Sequence, residues 1–241
     1  MKTTERWFSD RMQQPIGLAR WGDFGTPVLV FPTAGGDAEE IERNGLVEAC
    51  GELLDSGRVK LYSCDSVAGR AMVSAVGSPA YRMWLLNQFH ECVRNEVLPA
   101  IYADLGGHRT GIITSGASIG AFNALAVLCR YPDVVDAAVG MSGTYRVERF
   151  YDGEFTDDLY FSSPVHFVPH LDGPQLDTLR QRFAVLASGQ GAWEDVGESW
   201  HAGDVLGGKG VPNRVDAWGA EWPHEWPTWR RMLPQYLGEL C

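Results

Sequence analysis

Three groups of residues have the types and the order needed for nucleophilic chemistry at a carbonyl. The first is Gly116-Ala117-Ser118-Ile119-Gly120, within the stretch Thr110–Arg130. A short apolar run precedes it and an apolar helical pattern follows. Strand, sharp turn and helix in that order would hold a serine hydroxyl above the end of a sheet. The flanking glycines let the two backbones pass closely, and the first helical turn offers free N–H groups to an anion. The same five residues also suit an ordinary glycine-rich turn with Ser118 as a helix N-cap. A serine hydroxyl is a weak nucleophile at neutral pH, so an imidazole must take its proton and a carboxylate must hold that imidazole. The histidines are His90, His108, His166, His170, His201 and His224. Only His224 follows the last expected strand. The adjacent acids Glu194 and Asp195 follow an earlier one, and the residues alone do not separate them. Thr33-Ala34-Gly35-Gly36-Asp37 reads either as an oxyanion loop or as a plain turn.

The elements that must position these groups follow from apolar patterning. Strands are expected at 16–21 (short and alternating, as at an edge), 27–32, 59–64, 111–114, 134–141, 183–188 and 211–218. Helices are expected at 45–56, at 80–101 with a kink near Pro99, after the Ser118 turn, near 197–208, and from Pro227 to the end. Pro234 should kink or split the last one. His90 sits inside a helix and reads as structural. Alternating strands and helices specify an α/β chain, a mainly parallel sheet with helices on both faces. Ser118, Glu194, Asp195 and His224 all then follow carboxyl ends of strands, where open α/β sheets place their sites. Residues 1–241 read as a single domain. Residues 145–182 form a short irregular insertion, too small for a large lid domain, that walls the pocket or packs over the sheet.

Composition narrows the function classes. A formal net charge of −11 argues against nucleic acid and anionic membrane as partners. No apolar run approaches a membrane span, and the first residues lack the apolar core of a signal peptide, so a cytoplasmic protein is expected. The five cysteines are odd in number with no C-x-x-C spacing, which suits reduced, mostly buried thiols.

His224-Glu225-Trp226-Pro227-Thr228-Trp229 resembles the H-x-W-P-x-W signature of the esterase D, antigen 85 and feruloyl-esterase branch of the α/β-hydrolases. Residues 115–121 resemble that branch's elbow. Phe31–Gly36 and Gly189–Glu194 look like a bacterial subgroup of esterase-like proteins, with Pro32-Thr33 where His-Gly is commoner. The resemblance spans roughly residues 16 to 240. It implies an α/β-hydrolase fold, Ser118 as nucleophile, His224 as base, and the N–H groups of Ala34 and Ile119 as oxyanion donors. It puts Glu194 first as the acid, at the motif's Trp-Glu position, and Asp195 second. The expected activity is serine carboxylester hydrolysis of a small-molecule substrate, with no metal and no cofactor. An acyltransferase using the same triad, or a non-catalytic binding protein on the same fold, are the alternatives. Thr33, Trp193 and Trp222 are the expected substrate contacts, in an aromatic pocket that also draws on Trp84 and Trp226. Self-association into a homo-oligomer is left open.

Overall fold

The computed structural model describes residues 2–241. Eight strands form one sheet: β1 (Lys2–Ser9), β2 (Gln14–Trp21), β3 (Thr26–Phe31), β4 (Val59–Cys64), β5 (Ile112–Ala117), β6 (Val135–Met141), β7 (Phe183–Ser188) and β8 (Asn213–Ala217), in the order β1-β2-β4-β3-β5-β6-β7-β8. The pairings from β4 to β8 are parallel. The hairpin β1–β2 runs antiparallel to itself and to β4. The expected edge strand is therefore second in the sheet, and β1, which the sequence pattern did not reveal, forms the edge. Its residues KTTERWFS are mostly exposed, so pairing to β2 holds them rather than burial of an apolar face.

Each central strand is buried on both sides, as parallel strands under helices must be. Leu29 and Phe31 of β3 enter one apolar cluster, while Val28 and Val30 enter the other. On the first face lie α1 (Pro79–Cys92), α2 (Ile119–Arg130) and α3 (Val196–Gly208); on the second lies α4 (Trp226–Leu240). Ser78 caps α1 by accepting the Tyr81 N–H, and Pro79 fills its first turn. Beyond α1 the chain stays helical to Asp104 through a wider π turn at Val93–Val97. Pro99 explains that turn, since its ring crowds the carbonyl four residues earlier and it has no N–H to give. Pro234 lies inside α4, which continues to Leu240 as one element rather than splitting.

Other stretches also depart from the sequence reading, among them Val67–Val73, a helix that the pattern did not reveal. The expected helix 45–56 is broken into Leu46–Ala49 and Gly51–Asp55, and an unexpected turn of helix at Glu40–Arg43 precedes it, with Gly45 in the left-handed conformation between that turn and Leu46. Residues 145–182 are more regular than expected, with helical turns at Glu148–Tyr151, Asp157–Ser162, Pro164–Phe167, Val168–His170 and Gly173–Leu179. Tyr145, Tyr151 and Leu159 from this segment are fully buried in the cluster that α1 and α2 form. Among the described residues no helix is long and apolar enough to cross a membrane.

Candidate active site

The Ser118 turn is built by close backbone approach. A Cβ on Gly116 would come within 2.4 Å of the Gly120 carbonyl carbon, and one on Gly120 within 2.5 Å of the Phe31 carbonyl oxygen. Neither position tolerates a side chain without moving backbone, so the two glycines fix how β5 delivers the chain into α2. Ser118 is forced to φ 57°, ψ −120°, a conformation that costs a non-glycine residue about 1–3 kcal/mol. The surroundings over-determine it: the Ser118 N–H donates to the Met141 carbonyl at 3.0 Å, and the Ser118 carbonyl accepts from Ala121 N–H at 3.1 Å. The hydroxyl makes no capping bond to α2. That separates the elbow from the N-cap alternative.

The histidine and the acid arrive on two loops zipped together. Gly191 N–H donates to the Trp222 carbonyl (3.1 Å) and His224 N–H to the Ala192 carbonyl (2.9 Å). A Cβ on Gly189 would sit 1.9 Å from the Trp222 carbonyl oxygen, so only glycine allows this approach. His224 Nδ1 then faces Glu194 Oε2 at 3.5 Å, with the Glu194 side chain 1 % exposed. The carboxylate also accepts from the Ser142 hydroxyl at 2.5 Å and the Ser188 hydroxyl at 3.1 Å. Ser142 in turn accepts from the Trp229 indole N–H at 2.9 Å. The Trp229 ring packs edge-on against His224, with centroids 5.1 Å apart. Asp195 points elsewhere. It caps α3 by accepting the Gly197 N–H at 2.9 Å, pairs loosely with Arg146 at 3.7 Å, and its side chain is 68 % exposed.

Ser118 and His224 line one open cleft of about 560 Å³, with Thr33, Ala34, Gly35 and Trp226 among its walls. The Thr33–Gly36 turn closes through Gly36 N–H to the Thr33 carbonyl at 3.1 Å. Glu40 pins it by accepting both the Thr33 N–H and the Thr33 hydroxyl at 2.7 Å. Buried Asp65 ties the adjoining chain to β2 by accepting from Ala38 N–H (3.0 Å) and Gly17 N–H (2.9 Å). Among the described residues, the Ala34 and Ile119 N–H groups donate to no protein acceptor. Ala34 lines the cleft and Ile119 does not, but Ile119 begins α2, where the helix dipole favours negative charge.

The expected aromatic wall is partly elsewhere. Trp226 and Trp229 line the cleft, but Trp84, Trp193 and Trp222 do not. Trp193 is 90 % exposed, Trp222 packs edge-on against Trp218, and Trp84 stacks on Tyr81. The 145–182 segment contributes none of the cleft's lining residues. Sequence reasoning missed Glu40 and the carboxylate's partners Ser142 and Ser188. The one usable signal was a serine at or just beyond the carboxyl end of β6 and of β7. His90 is structural, as expected: burial first, and then the Arg130 charge, hold its pKa down to about 3. No group of three or more His, Cys, Asp or Glu side chains among the described residues is placed to hold a metal.

No family model matches the chain, and no curated protein does. Solved structures do. A ferulic acid esterase superposes with a TM-score of 0.75 at 16 % identity, over 100 % of this chain and 97 % of its own. The S-formylglutathione hydrolase of Agrobacterium tumefaciens gives 0.72 at 11 % identity, over 99 % and 94 %. MPT51 of Mycobacterium tuberculosis gives 0.67 at 15 % identity, over 99 % and 97 %. The chain has the α/β-hydrolase fold. The expected mainly parallel sheet with helices on both faces belongs to that fold, and Ser118 stands at the turn from β5 into α2.

Proposed function

We propose that the protein is a serine carboxylesterase acting on a small-molecule ester. One observation carries this reading: Ser118, held in the strained elbow conformation, shares a cleft with a histidine whose Nδ1 faces a buried glutamate. The esterases among the structural neighbours support it. In this reading the Ser118 hydroxyl attacks the ester carbonyl while His224 Nε2 takes its proton. The Ala34 and Ile119 N–H groups hold the oxyanion. Collapse breaks the bond to the alcohol, which leaves with the proton from His224 and leaves the acyl group on Ser118. Water then repeats the sequence, giving up a proton to His224 and releasing the acid. Glu194 keeps the imidazole proton on Nδ1 and stabilises the imidazolium, while Ser142 and Ser188 hold the carboxylate.

Ser118→Ala tests the assignment. With p-nitrophenyl acetate as substrate, kcat/KM should fall about 10⁴-fold or more, because the removal of one triad member disables the unit. Retention of activity within about tenfold, with unchanged circular dichroism, would mean that the chemistry lies on another residue.

A further inference from the structure

Among the described residues, Glu225 is the one side chain with a fixed formal charge in the lining of the Ser118 cleft. It stands at the start of α4 with extended backbone, φ −145° and ψ 159°, and its side chain makes no capping bond to the helix. No hydrogen bond or ion pair engages its carboxylate among the described residues. Beside it the indole of Trp226 lines the same cleft, fixed edge-on against Trp229 with centroids 5.0 Å apart. Arg230 and Arg231 line a separate depression with Ala49, Pro227 and Pro234. The chain as a whole carries −11. An unpaired carboxylate next to an anchored indole is the chemistry that holds an ammonium group, by charge and by the negative face of the ring.

We propose that Glu225 and Trp226 form a cation subsite beside the catalytic serine, and that the ester hydrolysed carries a quaternary or protonated amine. This rests on the esterase reading above. A unit charge held about 6 Å from a partly solvated carboxylate gains or loses roughly tenfold in kcat/KM by sign alone. Anionic esters are disfavoured by the same factor.

The test uses isosteric pairs at low ionic strength and pH 8, followed by acid release. Acetylcholine and 3,3-dimethylbutyl acetate place the charge, or its neutral carbon equivalent, on the alcohol side. Betaine methyl ester and methyl 3,3-dimethylbutanoate place it on the acyl side. For at least one pair, the charged-to-neutral ratio of kcat/KM should be about tenfold higher in the native protein than in Glu225→Gln. Glu225→Lys should lower that ratio further, and 0.5 M salt should shrink the native preference. Dividing by the ratio in Glu225→Gln removes intrinsic reactivity and any general damage from the substitution. Ser118-dependent hydrolysis with the same ratio in native and Glu225→Gln protein, for both pairs, would overturn this inference alone. Ser118-dependent hydrolysis of p-nitrophenyl acetate but of none of these four esters would likewise overturn this inference alone, whereas absence of Ser118-dependent hydrolysis of all five would overturn the esterase reading with it.

Discussion

Exchanging each acid of the Glu194-Asp195 pair for its amide should produce opposite outcomes, although the two residues are neighbours in sequence. The Glu194 carboxylate is 1 % exposed, faces His224 Nδ1 at 3.5 Å and accepts from Ser142 and Ser188. In Glu194→Gln, an amide NH₂ must replace one of the two oxygens. Turned toward His224, it donates to Nδ1 and leaves the proton on Nε2, so the ring can no longer accept from Ser118. Turned toward Ser142, it meets a hydroxyl already taking the Trp229 N–H, and the charge that stabilised the imidazolium is gone. The wrong-tautomer case corresponds to a loss of about 10⁴ in kcat, or about 5 kcal/mol of transition-state stabilisation. Asp195 is an exposed cap with one backbone bond and a distant arginine. Asparagine caps helices as well as aspartate, and an exposed ion pair is worth at most about 1 kcal/mol. Asp195→Asn should therefore keep kcat/KM within about threefold. The assay is p-nitrophenyl acetate hydrolysis at pH 8, with a thermal melt to show that each variant is folded. A loss in Asp195→Asn comparable to that in Glu194→Gln, or a Glu194→Gln enzyme within tenfold of native, would refute the assignment of the acid.

Ser142→Ala removes a 2.5 Å hydroxyl donor from a buried carboxylate and strands the Trp229 N–H. Hydrogen bonds to charged groups are worth about 1.5–3 kcal/mol, so kcat should drop by roughly ten- to a hundredfold with little change in KM; steady-state kinetics showing native kcat would contradict a positioning role. His90 gives a stability prediction. Its Nε2 faces Asn123 Oδ1 at 3.0 Å and its Nδ1 faces the Arg130 guanidinium at 3.4 Å, a pairing that suits the neutral ring. Folding lowers its pKa from 6.5 to about 3. Between those values the unfolded chain binds a proton that the folded chain does not, so this contribution is complete above about pH 6.5 and is lost as pH falls. From pH 7 to pH 5, native protein should lose about 2 kcal/mol more than His90→Gln in urea unfolding. Equal losses would show that His90 is not held neutral.

The legible parts of this chain were those that local pattern determines. The apolar runs of β3, β5, β6 and β7 are long enough to read as buried parallel strands, and Gly116 and Gly120 mark the elbow because a side chain at either would meet backbone. Strand β1 was not legible, since its polar residues are held by their partners in β2. The short helices of 145–182 were missed for a related reason. None exceeds seven residues, below the length at which a helix is stable by itself, so packing of Tyr145, Tyr151 and Leu159 decides them. At the site, chain order indicated Ser118 and His224, but not which tryptophans face the cleft. Trp193 takes φ 66° and projects into solvent, whereas Trp226 and Trp229 are turned inward by the start of α4. Ser142 and Ser188 meet Glu194 because the pairing of Met141 with Ala187 sets their two strand ends side by side. That is a non-local relation, and no spacing within either strand encodes it.

The central claim, that Ser118 is a nucleophile activated by His224, is tested most directly by a fluorophosphonate. Such a probe reacts at an activated serine and leaves a stable adduct of known mass. Incubation of the native protein, followed by intact-mass and peptide analysis, should show one adduct on the peptide containing Gly116–Gly120, located at Ser118. His224→Gln should slow labelling by several orders of magnitude, and Ser118→Ala should abolish it. No adduct on the folded native protein, or an adduct that persists in Ser118→Ala, would contradict the claim.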